Sequence, residues 1–451
     1  MVRDMTKGSP LKLIFSFFFP LLLGNLFQQV YSMVDSMIVG RFVGVDAFAG
    51  ISATGSLNFL ILGFLMGMCS GCTIPVSQAF GAGDMHDMRK YFANAIYLAG
   101  SVALLMTIVT VALTRNILQW IGTPADIIDE AYAYIVVIFG GMCATMLYNL
   151  ASGVLRAVGD TKTPLFFLIF SCFVNVGLDL LCVLVFHMGV SGAAWATIIS
   201  QLLSGVLCTA LIFGKYDILR IRKDEWKPEA AYIRRLFGMG LPMGLQFSIT
   251  AIGSIILQSA VNTLGSGAVA SIGAGSKVQF VFTCPLDTIG VTLATYCGQN
   301  LGARRIDRVR TGVRQSLIVM LIYCVVAYVA QRAFGIYVAQ LFIDGSETEI
   351  LANASRYLDN ICLFFPLLLC IMVFRNALQG LGFSRIAMFA GIFELVGRSF
   401  VAFALVGPYG FSGAIQANPA AWIMANLLLI PAYIYAIRRL QRQFPQPEAA
   451  Q

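Results

Sequence analysis

Long apolar stretches separated by short polar ones order this chain from end to end. Apolar runs cover 11–38, 47–78, 91–113, 131–156, 164–186, 190–213, 236–263, 268–299, 315–334, 352–378, 385–407 and 411–437. Each reaches the roughly 20 residues that a helix needs to cross hydrocarbon, and several are long enough to tilt or bend. The two-residue alternation of a transmembrane barrel is absent, so the pattern predicts helices. The fold class expected is all-α and polytopic, with twelve transmembrane helices. Pro20, Pro75, Pro242, Pro285 and Pro366 fall inside runs, where each removes a backbone donor and permits a bend. The first run flows on from "MVRDMTKGSPLKLIFSFFFPLLLG" without a small-residue cleavage site, so a retained helix is expected and not a signal peptide.

Composition agrees: 58% of residues are hydrophobic and 12% charged, against roughly a quarter charged in soluble domains. The net charge of +8 could suggest nucleic acid, but its distribution gives another meaning. With the amino terminus in the cytoplasm, Arg3, Lys7, Lys12, Arg89, Lys90, Arg156, Lys162, the basic loop from Lys215 to Arg235, the cluster from Arg304 to Arg314, Arg385 and Arg438 to Arg442 are all inside. Only Arg41, Arg115, Arg332 and Arg356 fall outside or at the outer rim. By the positive-inside rule both termini are then cytoplasmic, and the basic charge is a topology signal. Localisation in the plasma (inner) membrane is expected, with no nucleic-acid partner and no obligate protein partner.

The chain also repeats. "GVDAFAGI" from Gly44 aligns with "GSGAVASI" from Gly265, "QAFGA" from Gln78 with "QNLGA" from Gln299, and "GVSGA" from Gly189 with "GFSGA" from Gly410, each 221 positions on. "LRAVG" from Leu155 meets "LQGLG" from Leu378 at 223. Six spans per half is even, so the halves enter the membrane in the same orientation, as parallel repeats do. The domains expected are an amino-terminal six-helix lobe over 1–213, a cytoplasmic linker over 214–235, and a carboxy-terminal six-helix lobe over 236–451. Duplicated bundles suit a transporter that opens alternately to either face.

Ionisable residues inside spans are costly, which makes them functional candidates. Asp35, Asp179, Asp287, Asp359 and Glu394 lie within or close to runs. With outer turns near residues 43 and 188, Asp35, Asp179 and Thr197 share one level, about 12 to 14 Å below those turns at about 1.5 Å per residue. Asn175 lies four residues before Asp179, on the same helix face. Gln28, Tyr31 or Ser32, and Asp35 form a polar stripe on the first span; Thr197, Gln201 and Ser204 form one on the sixth. Three such stripes predict a wet pocket in the amino-terminal bundle, lined by Gln28, Tyr31, Asn149 and Gln201, with Gln246 as a further substrate-cavity candidate in the second half. The repeat equivalents of Asp35 and Asp179 are Ile256 and Phe400, so the acid pair exists only in the first half. An interfacial pairing of Asp35 with Arg41 is the plainer alternative. Glu394 and Arg398, spaced i, i+4 with the acid first, read as a structural ion pair within one helix. The sequence leaves open whether Lys277 bonds an acid across helices or faces a cavity.

The eleven cysteines are scattered, and "CSGC" at Cys69 to Cys72 sits mid-span without a second pair, which favours packing over redox or metal chemistry. His86 and His187 fall on opposite sides, and neither HExxH nor GxSxG occurs, so an enzyme is not expected.

Taken with "VDSMIVGRFVG" in span one, "SQAFGAGD" after span two, "LRAVGDTKTP" after span four, "NVGLDLL" in span five and "GQNLGA" after span eight, the chain resembles the multidrug and toxic compound extrusion (MATE) transporters over nearly its whole length. The resemblance implies twelve helices in two pseudo-symmetric lobes. It also implies export of amphipathic, often cationic compounds, driven by protons or sodium ions and without a cofactor. It implies a cation site in the amino-terminal lobe at the matching positions Asp35, Asn175, Asp179 and Thr197, where a sodium ion would meet an oxygen cage. Helix seven offers only Gln246 and Gln258 where some members carry an acid. A lipid-linked oligosaccharide flippase of related fold is the alternative, expected to carry a more basic cavity; a membrane enzyme or a channel ranks below it.

Overall fold

The computed structural model describes residues 2–340 and 347–445, and among these every regular element is helical. Among the described residues ten helices are long and apolar enough to cross a membrane, or up to twelve if each of two bent pairs is one span. The chain is thus an all-α, multi-pass membrane protein, as its hydrophobic pattern predicts.

The described chain divides into two compact units. The first holds Met1–Met5 and Phe19–Leu245, the second Thr6–Phe18 and Gln246–Gln451. The helices in order are α1 (Pro10–Phe42), α2 (Val45–Gly81), α3 (Met85–Trp120), α4 (Ile128–Gly140), α5 (Met142–Ala157), α6 (Lys162–Leu180), α7 (Val190–Lys215) and α8 (Ala230–Asn262). They continue with α9 (Ser266–Gly302), α10 (Ile306–Ala339), α11 (Thr348–Leu363), α12 (Phe365–Gly380), α13 (Ser384–Phe400), α14 (Val406–Ala414) and α15 (Ala417–Gln443). Two of them, α1 and α8, therefore begin in one unit and end in the other, and each contains an interior proline, Pro20 and Pro242.

The duplication seen in the sequence recurs in backbone detail. The fourth span breaks by 48° between α4 and α5, and its counterpart by 51° between α11 and α12. Pro366 stands at the start of α12, past that break, and not in mid-helix as the apolar run had suggested, because its missing N–H is harmless only in a first turn. A five-residue π-helix follows α6 at Leu181–Val185, and another follows α13 at Val401–Leu405. Gly189 (φ 62°) and Gly410 (φ 55°) turn the chain in the left-handed region at equivalent points. At the equivalent of Gly83 (φ 76°) the second half carries Arg304 (φ 57°), a non-glycine residue in the same conformation.

Short side chains set the helix spacing in the first unit. A Cβ at Gly71 would come within 2.5 Å of Gly240 Cα, so α2 and α8 touch backbone to backbone there. Cys69 and Cys72 flank this contact, fully buried and free, and the CSGC stretch is packing. In "GDTKTP", Asp160 Oδ1 accepts the N–H groups of Lys162 and Thr163 at 3.0 and 3.1 Å and so caps α6, while Tyr216 donates to its other oxygen.

The polar stretch from Gly214 to Arg235 is docked on the first unit. Glu225, with no exposed side-chain surface, takes Arg89 Nε at 2.8 Å and Nη2 at 2.8 Å, His86 Nδ1 at 3.0 Å and the Arg222 N–H at 2.8 Å. Burial alone would raise the Glu225 pKa, but these donors win and bring it down to about 2. Lys90 bonds Glu229 at 2.6 Å, Tyr232 bonds Asp87 at 2.5 Å, and Arg235 reaches Gln78 at 2.8 Å.

Candidate functional site

Three helices of the first unit bring the predicted site together. At Gly24 on α1 an added Cβ would lie 3.4 Å from Leu168 and 3.5 Å from Leu165 of α6, so the two helices meet there. As first and fifth spans they run parallel. Eleven residues on, about 16 Å at 1.5 Å per residue, α1 reaches Asp35 and α6 reaches Asp179. Eleven residues is close to three turns, so both acids return to the face on which the helices touch. Gln28 and Tyr31 occupy the same face of α1, and Asn175 that of α6.

The third helix, α7, is seated at the break between α4 and α5. A Cβ at Gly141 would fall 2.2 Å from Ile198, so only glycine admits this side chain. The contact fixes Thr197 beside it and leaves Gln201 one turn further, where its Oε1 accepts the Thr145 hydroxyl at 2.5 Å. The seam between α6 and α7 is closed by Ser171, which donates to the Ser200 carbonyl at 2.7 Å, and by Ser204, which reaches the Phe167 carbonyl at 3.4 Å.

Asp35 and Asp179 lie within each other's electrostatic reach, and Tyr31 and Tyr134 lie in the field of both. Asn175 is 1% exposed and Asp179 fully buried. Asp35 Oδ1, both side-chain atoms of Asn175, both carboxylate oxygens of Asp179 and Thr197 Oγ1 are buried without a hydrogen-bond partner among the described residues. Native structures keep buried polar atoms paired, since an unpaired one costs about 1 to 3 kcal/mol and a charged one more. So many on neighbouring helices depart from that rule. The donor set is all oxygen apart from the Asn175 amide nitrogen. It fits a proton shared between carboxylates or a hard monovalent cation. Among the described residues, no three His, Cys, Asp or Glu side chains converge as a tightly held divalent metal would require.

The remaining candidates separate. Arg41 makes no ion pair with Asp35 among the described residues, so the interfacial alternative lacks its partner. Gln28 is exposed, and Asn149 is engaged with its own helix, donating to the Thr145 carbonyl at 2.8 Å. Gln246 belongs to the second unit, where Gln379 Nε2 donates to its Oε1 at 2.7 Å. Glu394 and Arg398 do meet, at 3.6 Å, but Arg375 of α12 reaches Glu394 at 3.0 Å, so the expected pair is a triad. Arg375 also acts electrostatically on Asp287, and Arg332 holds Asp359 in an ion pair. Tyr134 and Arg375 are the residues that sequence reasoning missed.

Comparison with known proteins gives the same repeat. The MatE family model matches residues 20–181 and again 242–403, a displacement of 222 that agrees with the internal duplication. The chain is 29% identical over 387 residues, 84% of either chain, to "Probable multidrug resistance protein YpnP" of Bacillus subtilis (strain 168). It is 23% identical over 430 residues, 93% of either chain, to the protein named FAD transporter of Shewanella oneidensis. Among solved structures, an outward-facing multidrug resistance MATE family transporter of the MOP superfamily superposes with a TM-score of 0.91. That match covers 97% of this chain and 98% of the other at 20% identity, a likeness of fold.

Proposed function

The chain belongs to the MatE family, the MATE transporters, and on that premise we propose that it is a cation-coupled antiporter exporting amphipathic, often cationic organic compounds by alternating access. What supports this reading is the set of unpartnered buried polar atoms of Asp35, Asn175, Asp179 and Thr197 in the first unit. In the proposed cycle the coupling cation is a substrate. Asp35 and Asp179 supply the negative charge that attracts it, and the Asn175 and Thr197 oxygens complete its shell. Two neighbouring carboxylates disfavour double ionisation, so loading with a proton or a sodium ion relieves their repulsion. Loading also changes the charge on the face of α1 beyond Pro20, and a state-dependent affinity of this kind is what links ion entry to release of the exported compound. An acidic pocket favours cationic cargo over the phosphates of a lipid-linked sugar. We place the protein in the plasma membrane with both termini cytoplasmic.

The test is transport in proteoliposomes with independently imposed proton and sodium gradients, using a cationic dye and FAD as alternative cargo. The parent is expected to move the dye against its gradient on one of the two ions. D35N and D179N, at matched reconstitution, are expected to lose this, while I256A keeps it. Parental pumping by D179N would refute the cation site; export of FAD and not of the dye would refute the cargo class.

A further inference from the structure

A second feature stands apart from the acidic site, on the second unit. A cleft of about 640 Å³ opens between the beginning of α10 and Gln441 of α15, lined on the α10 side by Arg310, Thr311, Arg314, Gln315 and Ile318. Its one acid, Asp307, is already held by Arg305, through Nε at 3.1 Å and Nη2 at 3.0 Å. Arg310 and Arg314 are exposed, one turn apart on a single face, and make no hydrogen bond or ion pair among the described residues. The cleft therefore offers two uncommitted guanidiniums.

The same face of α10 continues as an apolar strip. Ile318, Leu321, Val325 and Val329 are 50%, 41%, 64% and 60% exposed and follow Arg310 and Arg314 at helical spacing. From Ile318 to Val329 is about 16 Å, close to the roughly 15 Å of hydrocarbon in one leaflet. A paired anion site leading into an apolar track one leaflet long is the shape of a phospholipid, not of a soluble anion. We propose that this cleft binds an acidic glycerophospholipid. Arg310 and Arg314 take the phosphate, and the acyl chains lie along Ile318 to Val329. Basic pockets at the ends of membrane helices bind acidic headgroups in this manner.

The experiment measures the unfolding temperature of the full-length protein in detergent during titration with phosphatidylglycerol, phosphatidylcholine of the same acyl chains, or inorganic phosphate. Phosphatidylglycerol is expected to raise the midpoint saturably, and the other two are not. In R310Q/R314Q the phosphatidylglycerol midpoint concentration should rise about twenty-five-fold, five-fold for each arginine at about 1 kcal/mol. The unfolding temperature in phosphatidylcholine should stay parental, since both side chains are exposed, and R439Q, outside the cleft, should titrate like the parent. Equal stabilisation by phosphatidylcholine, an equal response to inorganic phosphate, or an unchanged titration of the double variant would each overturn the assignment.

Discussion

Arg375 on α12 approaches Glu394 to 3.0 Å, closer than Arg398, which meets the same carboxylate at 3.6 Å from one turn along its own helix. The tertiary contact is the tighter one, so the charge balance of α13 depends on α12. E394Q removes the acid that Arg375 and the buried Arg398 share and is expected to cost about 3 kcal/mol. In double-variant cycles read by thermal unfolding, Glu394 should couple more strongly to Arg375 than to Arg398. The reverse order would make the i, i+4 contact the principal one.

Gly71 makes a packing prediction. G71A drives a methyl group into the backbone of Gly240 and is expected to destabilise the protein by about 1 to 3 kcal/mol. G55A, on the same helix with open space around it, should be neutral or slightly stabilising. Equal unfolding temperatures for the two variants would contradict the close approach of α2 and α8.

Glu225 should make stability depend on acid. Its folded pKa lies near 2, below the ordinary 4.5, so its contribution is fully present above about pH 4.5 and is lost as the pH falls towards 2. The unfolding-temperature gap between the parent and E225Q should therefore be constant from pH 7 to 5 and shrink steadily below that. A gap that widens in acid would reverse the sign of the effect.

Orientation is tested by single cysteines in a background lacking the exposed Cys143. D126C, in the turn before α4, should react with an impermeant thiol reagent on intact cells. D224C, beside Glu225, should react only after the membrane is opened. The opposite pattern would invert the topology that the basic residues imply.

How much of this could be read from the sequence depended on contrast with the surroundings. Asp179 and Asn175 stand out because they interrupt an otherwise apolar run at helical spacing, and the repeat gave its own control by putting Phe400 at the equivalent of Asp179. Tyr134 carries no such mark, since a tyrosine in "AYAYIVV" looks like any membrane aromatic until folding brings it into the field of the acids. Arg375 lies near the end of its span, where a basic residue reads as topology, and only the packing of α12 on α13 gives it an acid. Glu225 was masked by the opposite effect: in a polar loop nothing distinguishes the one carboxylate that becomes fully buried.

The position of Gly8 bears on how the chain is made. Its carbonyl accepts Arg308 Nη1 at 2.8 Å, and Thr6–Phe18 count with the second unit although they are synthesised long before the rest of it. At about 5 to 20 residues per second, on the order of fifteen seconds to a minute separates their emergence from that of Arg308. Throughout that interval the start of the first helix is in the bilayer without the neighbours it will finally have. Biogenesis of this protein is therefore not two halves folding in turn: the second unit closes around a segment made before the first unit, and a chain stalled near residue 300 leaves both units unfinished.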